Sequence, residues 1–136
     1  MQEHSLSVQI YYEDTDHSGV VYHANYLKYF ERAREHMLGI NHLIALMENE
    51  GIGFVVYKAE ITYRRGAAFG DTLEIRSKVS LQSAYRLVFR QNAHLPAESR
   101  PVVESIIQLA CVDENRELVP IPQDIIDEMK NQGYEI

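Results

Sequence analysis

Hydrophobic residues alternate with polar ones at the start of the chain, and further along their period changes. From Leu6 to Tyr12, alternate residues form an apolar face, which predicts a β-strand. From residue 24 the apolar positions recur at steps of four and three, the spacing of one side of a helix. These positions are Tyr26, Phe30, Ala33, Met37 and Ile40. The chain is therefore predicted to begin with a strand and a long amphipathic helix.

Glycine and proline mark the expected ends of the helices. Gly39 is expected to end the long helix, because glycine readily adopts the left-handed conformation that closes many helices. Asn41 is expected to cap a second, short helix that ends at Gly51. Its apolar residues are Leu43, Ile44 and Met47. A final amphipathic helix is expected after Pro122, with apolar residues Ile125, Ile126 and Met129.

Four strand-like segments lie between the second helix and the last one. In the first, alternate residues from Val55 to Tyr63 are expected to share a face. The same holds from Leu73 to Val79 and from Tyr85 to Phe89. The fourth segment, Val102 to Val112, is apolar on both faces at several positions, which is typical of an interior strand. The short connections between the segments favour an antiparallel meander.

This order of elements predicts an α+β fold in which a curved antiparallel sheet packs on one long helix, since each apolar face needs a partner. The 136 residues are expected to form a single domain (residues 1–136), large enough for a core without disulfides or a structural metal. Cys111 is the only cysteine, so an intrachain disulfide is excluded.

Charge and hydropathy narrow the possible partners. The net charge of −7 and a pI near 5.3 argue against nucleic acid, which calls for a basic surface. The polar first residues lack a signal-peptide core, and no apolar stretch has the length of a membrane span. We therefore expect a cytoplasmic protein that does not insert into a membrane.

The segment from Tyr12 to Tyr26 carries the candidate chemistry. It places Asp14 and Asp16 before the glycine turn at Gly19, immediately ahead of the long helix. The free amide groups at a helix N-terminus attract negative charge, so an ionised carboxylate beside them suits acyl hydrolysis. On spacing alone, an ordinary turn rich in Asp, Ser and Gly explains the segment equally well.

Metal binding is a second interpretation of the same segment. A calcium-binding EF-hand loop is excluded, because Asn25 stands where that loop requires a bidentate glutamate. A transition-metal site formed by Asp16, His17 and His23 stays open as an alternative, although these residues lack the spacing of a known metal-binding signature.

A longer pattern resembles a known family. The residues Thr15-Asp16-His17-Ser18-Gly19-Val20-Val21, followed by Tyr26, resemble the active-site signature of the 4-hydroxybenzoyl-CoA thioesterases. The run VVYHANYLKYFERAR, residues 20–34, resembles their Tol-Pal-associated (YbgC-like) acyl-CoA thioesterase branch. The likeness extends over almost the whole chain, including residues 69–73 and 120–122. It implies the hot-dog fold, in which a sheet wraps one long helix.

The resemblance also implies roles for individual residues. Asp16 matches the catalytic aspartate, and His23 matches the residue whose backbone amide binds the oxyanion. Further substrate contacts are expected at Gly19, Tyr22, Asn25, Arg64 and Arg65. The turn that supplies basic contacts to CoA in the hydroxybenzoyl enzyme corresponds here to the uncharged residues 82–84. Arg64, Arg65 and Arg86 are therefore the remaining candidates for CoA contacts.

The expected function is hydrolysis of a short-chain or aromatic acyl-CoA, without a cofactor or metal. Asp16 would act as nucleophile or as general base, and the resemblance implies that acyl-CoA binds at the interface of a homodimer or homotetramer. Two alternatives stay open: an enzyme acting on acyl carrier protein thioesters, and a non-catalytic acyl-CoA-binding or envelope-complex scaffold protein.

Overall fold

A computed structural model describes residues 2–136. In this part of the chain, five strands form one sheet and three α-helices pack with it. The elements follow the predicted order, except that a short 3-10 helix, Tyr12–Asp14, precedes the first α-helix. They are β1 (His4–Gln9), α1 (Asn25–Leu38), α2 (Ile40–Glu50), β2 (Gly53–Tyr63), β3 (Thr72–Ser83), β4 (Arg86–His94), β5 (Val103–Val112) and α3 (Gln123–Asn131).

The sheet has the strand order β1-β3-β4-β5-β2, and every neighbouring pair is antiparallel. Strands β3, β4 and β5 form the predicted meander, and β5 is an interior strand as expected. The prediction that β2 continues this meander is wrong. Because β1 pairs with one side of β3 and β4 with the other, β2 pairs with β5 at the opposite edge of the sheet.

Strand β2 also contains a β-bulge. Its register against β5 shifts between Val56 and Lys58, so one extra residue lies on the β2 side. Val55 pairs with Ala110 whereas Ala59 pairs with Ile107, which puts Val55 and Ala59 on opposite faces. The prediction that alternate residues from 55 to 63 share one face is therefore wrong.

The predicted apolar stripe of α1 forms the centre of the core. Four of its five residues are buried against the inner face of the sheet: Tyr26, Phe30, Ala33 and Met37. Ile40 is the exception, because Gly39, with φ of 93°, ends α1 and turns the chain into α2. Ile40 is consequently 43% exposed.

Helices α2 and α3 differ from their predicted form only in detail. Gly51 ends α2 in the left-handed conformation as expected, but the helix begins at Ile40, so the prediction of Asn41 as its cap is wrong. Leu46 is the buried residue of this helix, whereas Ile44 and Met47 are half exposed. In α3 the predicted residues Ile125 and Met129 are buried.

The first strand ends at Gln9 rather than at Tyr12. The backbone amide of Tyr11 donates to Oδ2 of Asp14 at 2.8 Å, so a local side-chain acceptor replaces a partner strand. Tyr12 lies in the 3-10 helix and is 77% exposed. This change of direction leads the chain from the sheet edge toward the start of α1.

Candidate active site at the start of helix α1

A tight turn carries the candidate carboxylate. The amide of Asp16 donates to the carbonyl of Val20 at 2.8 Å, and the amide of Gly19 donates to the carbonyl of Asp16 at 3.0 Å. Gly19 has φ of 86°, a conformation that costs a residue with a side chain more than it costs glycine. The predicted role of Gly19 as the turn residue therefore has a clear local cause.

The turn is fixed to the connection between β2 and β3. The amide of Val21 donates to the carbonyl of Ala67 at 2.8 Å, and Val20 forms a bridge with Ala68. A Cβ atom at Gly66 would lie 2.6 Å from Cγ1 of Val20, so the two segments approach as closely as glycine allows. This contact brings the turn beside the end of β2.

Asp16 is exposed, and its carboxylate has local donors. Its Oδ1 accepts hydrogen bonds from the Ser18 hydroxyl at 2.6 Å and from the Ser18 amide at 2.9 Å. The Ser18 hydroxyl is the main cause that lowers the pKa of Asp16, and nearby backbone amides lower it further, against a smaller opposing effect of desolvation. Asp16 is therefore ionised at neutral pH.

Asp14 makes a different set of contacts. Besides its side-chain bond to the Tyr11 amide, its carbonyl accepts the amide of Tyr22 at 2.9 Å and the side-chain amide of Asn25 at 2.9 Å. These bonds tie the exit of the first strand to the start of α1. Asn25, a predicted substrate contact, directs its side-chain amide to this backbone carbonyl.

The peptide group between Tyr22 and His23 is held in place just before α1. The amide of Asn25 donates to the carbonyl of Tyr22 at 2.8 Å. Within the described residues, the backbone amide of His23 donates to no acceptor, and no side chain caps the start of α1. His23 precedes Asn25, the first residue of α1, so its amide lies beside the positive end of the helix and is available to an anion or a polarised carbonyl.

Asp16 and His23 line one cavity of about 330 Å³ at this helix end. Two other predicted substrate contacts, Arg64 and Arg65, also line it, whereas Gly19, Tyr22 and Asn25 do not. The remaining lining residues are Val20, Val21, Tyr26, Tyr63 and Gly66. The cavity thus joins the turn, the helix start and the end of β2.

The sequence pattern predicts Tyr26 in the stripe of α1 and Tyr63 in a strand, and both residues line this cavity. Tyr63 donates its hydroxyl to the carbonyl of His23 at 3.0 Å, and its ring meets those of His23 and Tyr26 edge-on. Tyr26 is buried, and its hydroxyl has no partner among the described residues. Burial is the main cause that raises the pKa of Tyr26 to about 12. The sequence signal that could have indicated Tyr26 as a site residue is a tyrosine within an apolar helix stripe, because a buried hydroxyl needs a hydrogen-bond partner.

The other candidate side chains do not support a role in this cavity. Arg86 stacks on the ring of Tyr57, 4.8 Å from its centroid, and does not line the cavity. Cys111 is buried, and burial raises the pKa of its thiol to about 11. In residues 2–136 no three His, Cys, Asp or Glu side chains form a group that could hold a metal ion, so Asp16, His17 and His23 do not come together as one.

The helices do not resemble membrane spans. None of those formed by residues 2–136 combines the length and the apolar character that a crossing needs.

One antiparallel sheet wrapped on a long helix, with an acidic turn before the N-terminus of that helix, defines a protein of the hot-dog class. The chain belongs to the thioesterase-like superfamily, whose sequence profile matches residues 11–129. The hot-dog fold implied by the resemblance is confirmed, and so is membership of a thioesterase-like superfamily.

Individual relatives agree with this assignment. The acyl-CoA thioester hydrolase YbgC of Escherichia coli is 39% identical over 127 residues, which cover 90% of this chain and 92% of that protein. A probable thioesterase from Bartonella henselae superposes with a TM-score of 0.80 at 30% identity, over 89% of this chain and 100% of the other. The 1,4-dihydroxy-2-naphthoyl-CoA thioesterase from Synechocystis has a TM-score of 0.87 over 98% of this chain and 100% of the other; at 21% identity it shows the fold alone.

Proposed function

We propose that the protein is an acyl-CoA thioesterase that hydrolyses short-chain or aromatic acyl-CoA to the free acid and CoA. The observation that carries the proposal is that Asp16 lines the same cavity as His23, whose backbone amide has no acceptor among the described residues. The similarity to the acyl-CoA thioester hydrolase YbgC supports acyl-CoA as the class of substrate.

The His23 amide acts on the thioester oxygen. Attack on the carbonyl carbon moves negative charge onto this oxygen, and an oriented amide at a helix N-terminus stabilises that charge. The loss of one such donor typically raises a barrier by ~3 kcal/mol. Because the amide of Asn25 holds the carbonyl of Tyr22, the N–H of His23 keeps its direction during the reaction.

Asp16 acts as nucleophile or as general base. As a nucleophile it would form a mixed anhydride and expel the CoA thiolate, and water would then hydrolyse the anhydride. As a base it would take a proton from the attacking water. Both routes need the ionised carboxylate, which the hydrogen bonds from Ser18 favour. Neither route needs a metal, because a thiolate is a good leaving group.

The proposal includes the oligomeric state of the protein. Strand β2 is an edge strand, and Val55, Val56 and Tyr57 on it are 43–48% exposed. An exposed apolar edge favours pairing with another strand. We infer a homodimer formed through β2, which can pair further into a homotetramer, and a cytoplasmic location.

A panel of acyl-CoA thioesters tests the proposal. Thiol release is measured with the wild-type protein on short-chain, long-chain and aromatic acyl-CoA, and on one of these acyl groups carried by acyl carrier protein. We expect turnover with at least one short-chain or aromatic acyl-CoA. Cys111 contributes little background to a thiol reagent because it is buried.

Two results would contradict the proposal. Thermal stabilisation by acyl-CoA without any thiol release would favour a binding or scaffold protein. Faster hydrolysis of the carrier-protein thioester than of the matched acyl-CoA would favour the carrier as substrate, although the acidity of this chain opposes an acidic partner.

A further inference from the structure

A second cavity with a different character lies next to the candidate active site. Its volume is about 260 Å³, and it is lined by Arg64, Arg65, Arg100 and Pro101. We call it the arginine cavity. Arg64 and Arg65 also line the cavity of Asp16 and His23, so the two cavities share these two residues.

Three of the four residues that line the arginine cavity are arginines and none is acidic, in a chain of net charge −7. Arg64 and Arg65 form ion pairs with Glu104 at 3.0 Å and with Glu98 at 2.7 Å. These pairs are about half exposed, and such pairs contribute little to stability. Arg100 forms no ion pair within the described residues. It is therefore the cation whose charge is least compensated.

The backbone around this cavity is held by hydrogen bonds. The amides of Arg64 and Arg65 both donate to the carbonyl of Val102, at 2.8 and 3.1 Å. Nδ1 of His94 lies 3.1 Å from the carbonyl of Glu98, whose side chain pairs with Arg65. The loop that carries Arg100 is thus fixed to the end of β2.

We propose that the arginine cavity binds phosphate of the nucleotide half of a CoA thioester, with Arg100 as the residue that makes the protein prefer CoA over a thiol without phosphate. The proposal rests on the thioesterase function proposed above. Arginine donates two parallel hydrogen bonds to a phosphate, and locally clustered cations attract an anion that the acidic chain would otherwise repel. The sequence did not indicate Arg100, which is distant from every motif.

The test compares one acyl group on two thiols. Hydrolysis of the same acyl group is measured on CoA and on pantetheine, and discrimination is the ratio of the two kcat/KM values. In Arg100→Ala we expect discrimination to fall about tenfold, the usual effect of losing a hydrogen bond to a charged group. Arg116→Ala, an exposed arginine in a distant turn, is the matched control and should keep the wild-type ratio.

A second variant tests the sign of the effect. Glu98→Gln removes the carboxylate that pairs with Arg65, so discrimination should rise, because the freed guanidinium can meet the phosphate. Unchanged discrimination in Arg100→Ala, with a wild-type circular dichroism spectrum, would overturn the proposal even if both thioesters are hydrolysed.

Failure of the proposed function gives a different result, namely no hydrolysis of either thioester. The arginine cavity is then tested by calorimetric titration with adenosine 3′,5′-bisphosphate. Weaker binding to Arg100→Ala than to Arg116→Ala supports the cavity as a phosphate site, and equal binding contradicts it.

Discussion

Asp14 and Asp16 are two residues apart, yet their carboxylates have different surroundings. Asp14 accepts the Tyr11 amide and belongs to the scaffold that joins the first strand to α1. Asp16 accepts only donors of its own turn, from Ser18, and lines the cavity. This difference supports the choice of Asp16, which the family resemblance implied and the spacing of the two residues could not decide.

The Ser18 hydroxyl contributes most to lowering the pKa of Asp16, and desolvation opposes it. In Ser18→Ala the hydroxyl that mainly lowers the pKa of Asp16 is lost, so this pKa should rise toward its ordinary value. Because the proposed reaction needs ionised Asp16, the acidic limb of the kcat/KM profile should move to higher pH. The profile is measured for the variant and for Ser80→Ala, an exposed serine on β3. An acidic limb that stays in place in Ser18→Ala would contradict the role of this hydroxyl.

Tyr63 holds the residue that carries the proposed oxyanion donor. Tyr63→Phe removes the hydrogen bond to the His23 carbonyl but keeps the ring contacts. A neutral hydrogen bond contributes about 1 kcal/mol, so kcat should fall roughly fivefold while KM and the melting temperature change little. Steady-state kinetics and thermal melting measure this. A lower melting temperature with unchanged kcat would indicate a purely structural role.

At the scale of the elements, the site depends on two loops in close contact. There is no room for a Cβ atom at Gly66 beside Val20. The close packing of the connection after β2 against the acidic turn therefore requires glycine at residue 66. Residue spacing could not reveal this contact, because Val20 and Gly66 lie far apart in the chain and neither carries a chemical signal.

Gly66→Ala tests the fit of the two loops. The new methyl group would lie 2.6 Å from Cγ1 of Val20, and such overpacking costs typically ~1–3 kcal/mol. We expect a lower free energy of unfolding and a lower kcat. The additional change Val20→Ala removes Cγ1 and leaves Cβ at 3.0 Å, so the double variant should regain part of the stability lost in Gly66→Ala. Equal stability of the double variant and Gly66→Ala would contradict the contact.

The helices were predictable from the sequence, whereas one strand was not. The stripe of α1 carries its own period, and the glycines at 39 and 51 mark helix ends through backbone conformations that glycine favours. In β2 the bulge at residue 57 reverses the faces of the strand, and its cause is the pairing with β5, which local alternation does not contain. The edge position of β2 has the same non-local origin.

At the scale of the whole molecule, the cavity is assembled from segments that are separate in sequence. The acidic turn, the residues just before α1 and the residues that follow β2 are joined by the contact of Val20 and Val21 with Ala67 and Ala68. The resemblance placed Asp16 and His23, but the contributions of Tyr63 and Arg100 follow from tertiary packing. The proposed reacting groups could thus be named from the sequence, whereas part of their surroundings could not.

The exposed edge strand predicts the size of the assembly. In solution the wild-type protein should have the mass of a dimer or tetramer by size-exclusion chromatography with light scattering. Val56→Lys places a charge on the edge and should lower the mass, because a lysine opposes strand pairing. Val56→Thr keeps the β-branched shape and serves as the control. A monomeric wild-type protein would contradict the proposed interface.

The most direct test of the account is the turnover of one acyl-CoA substrate by Asp16→Asn. This change keeps the size of the side chain but removes the charge that attacks the thioester or activates water, so kcat should fall at least ~100-fold. Glu13→Gln, which removes an exposed carboxylate three residues earlier, should retain wild-type kcat. Equal activity of Asp16→Asn and the wild-type protein would contradict the central claim.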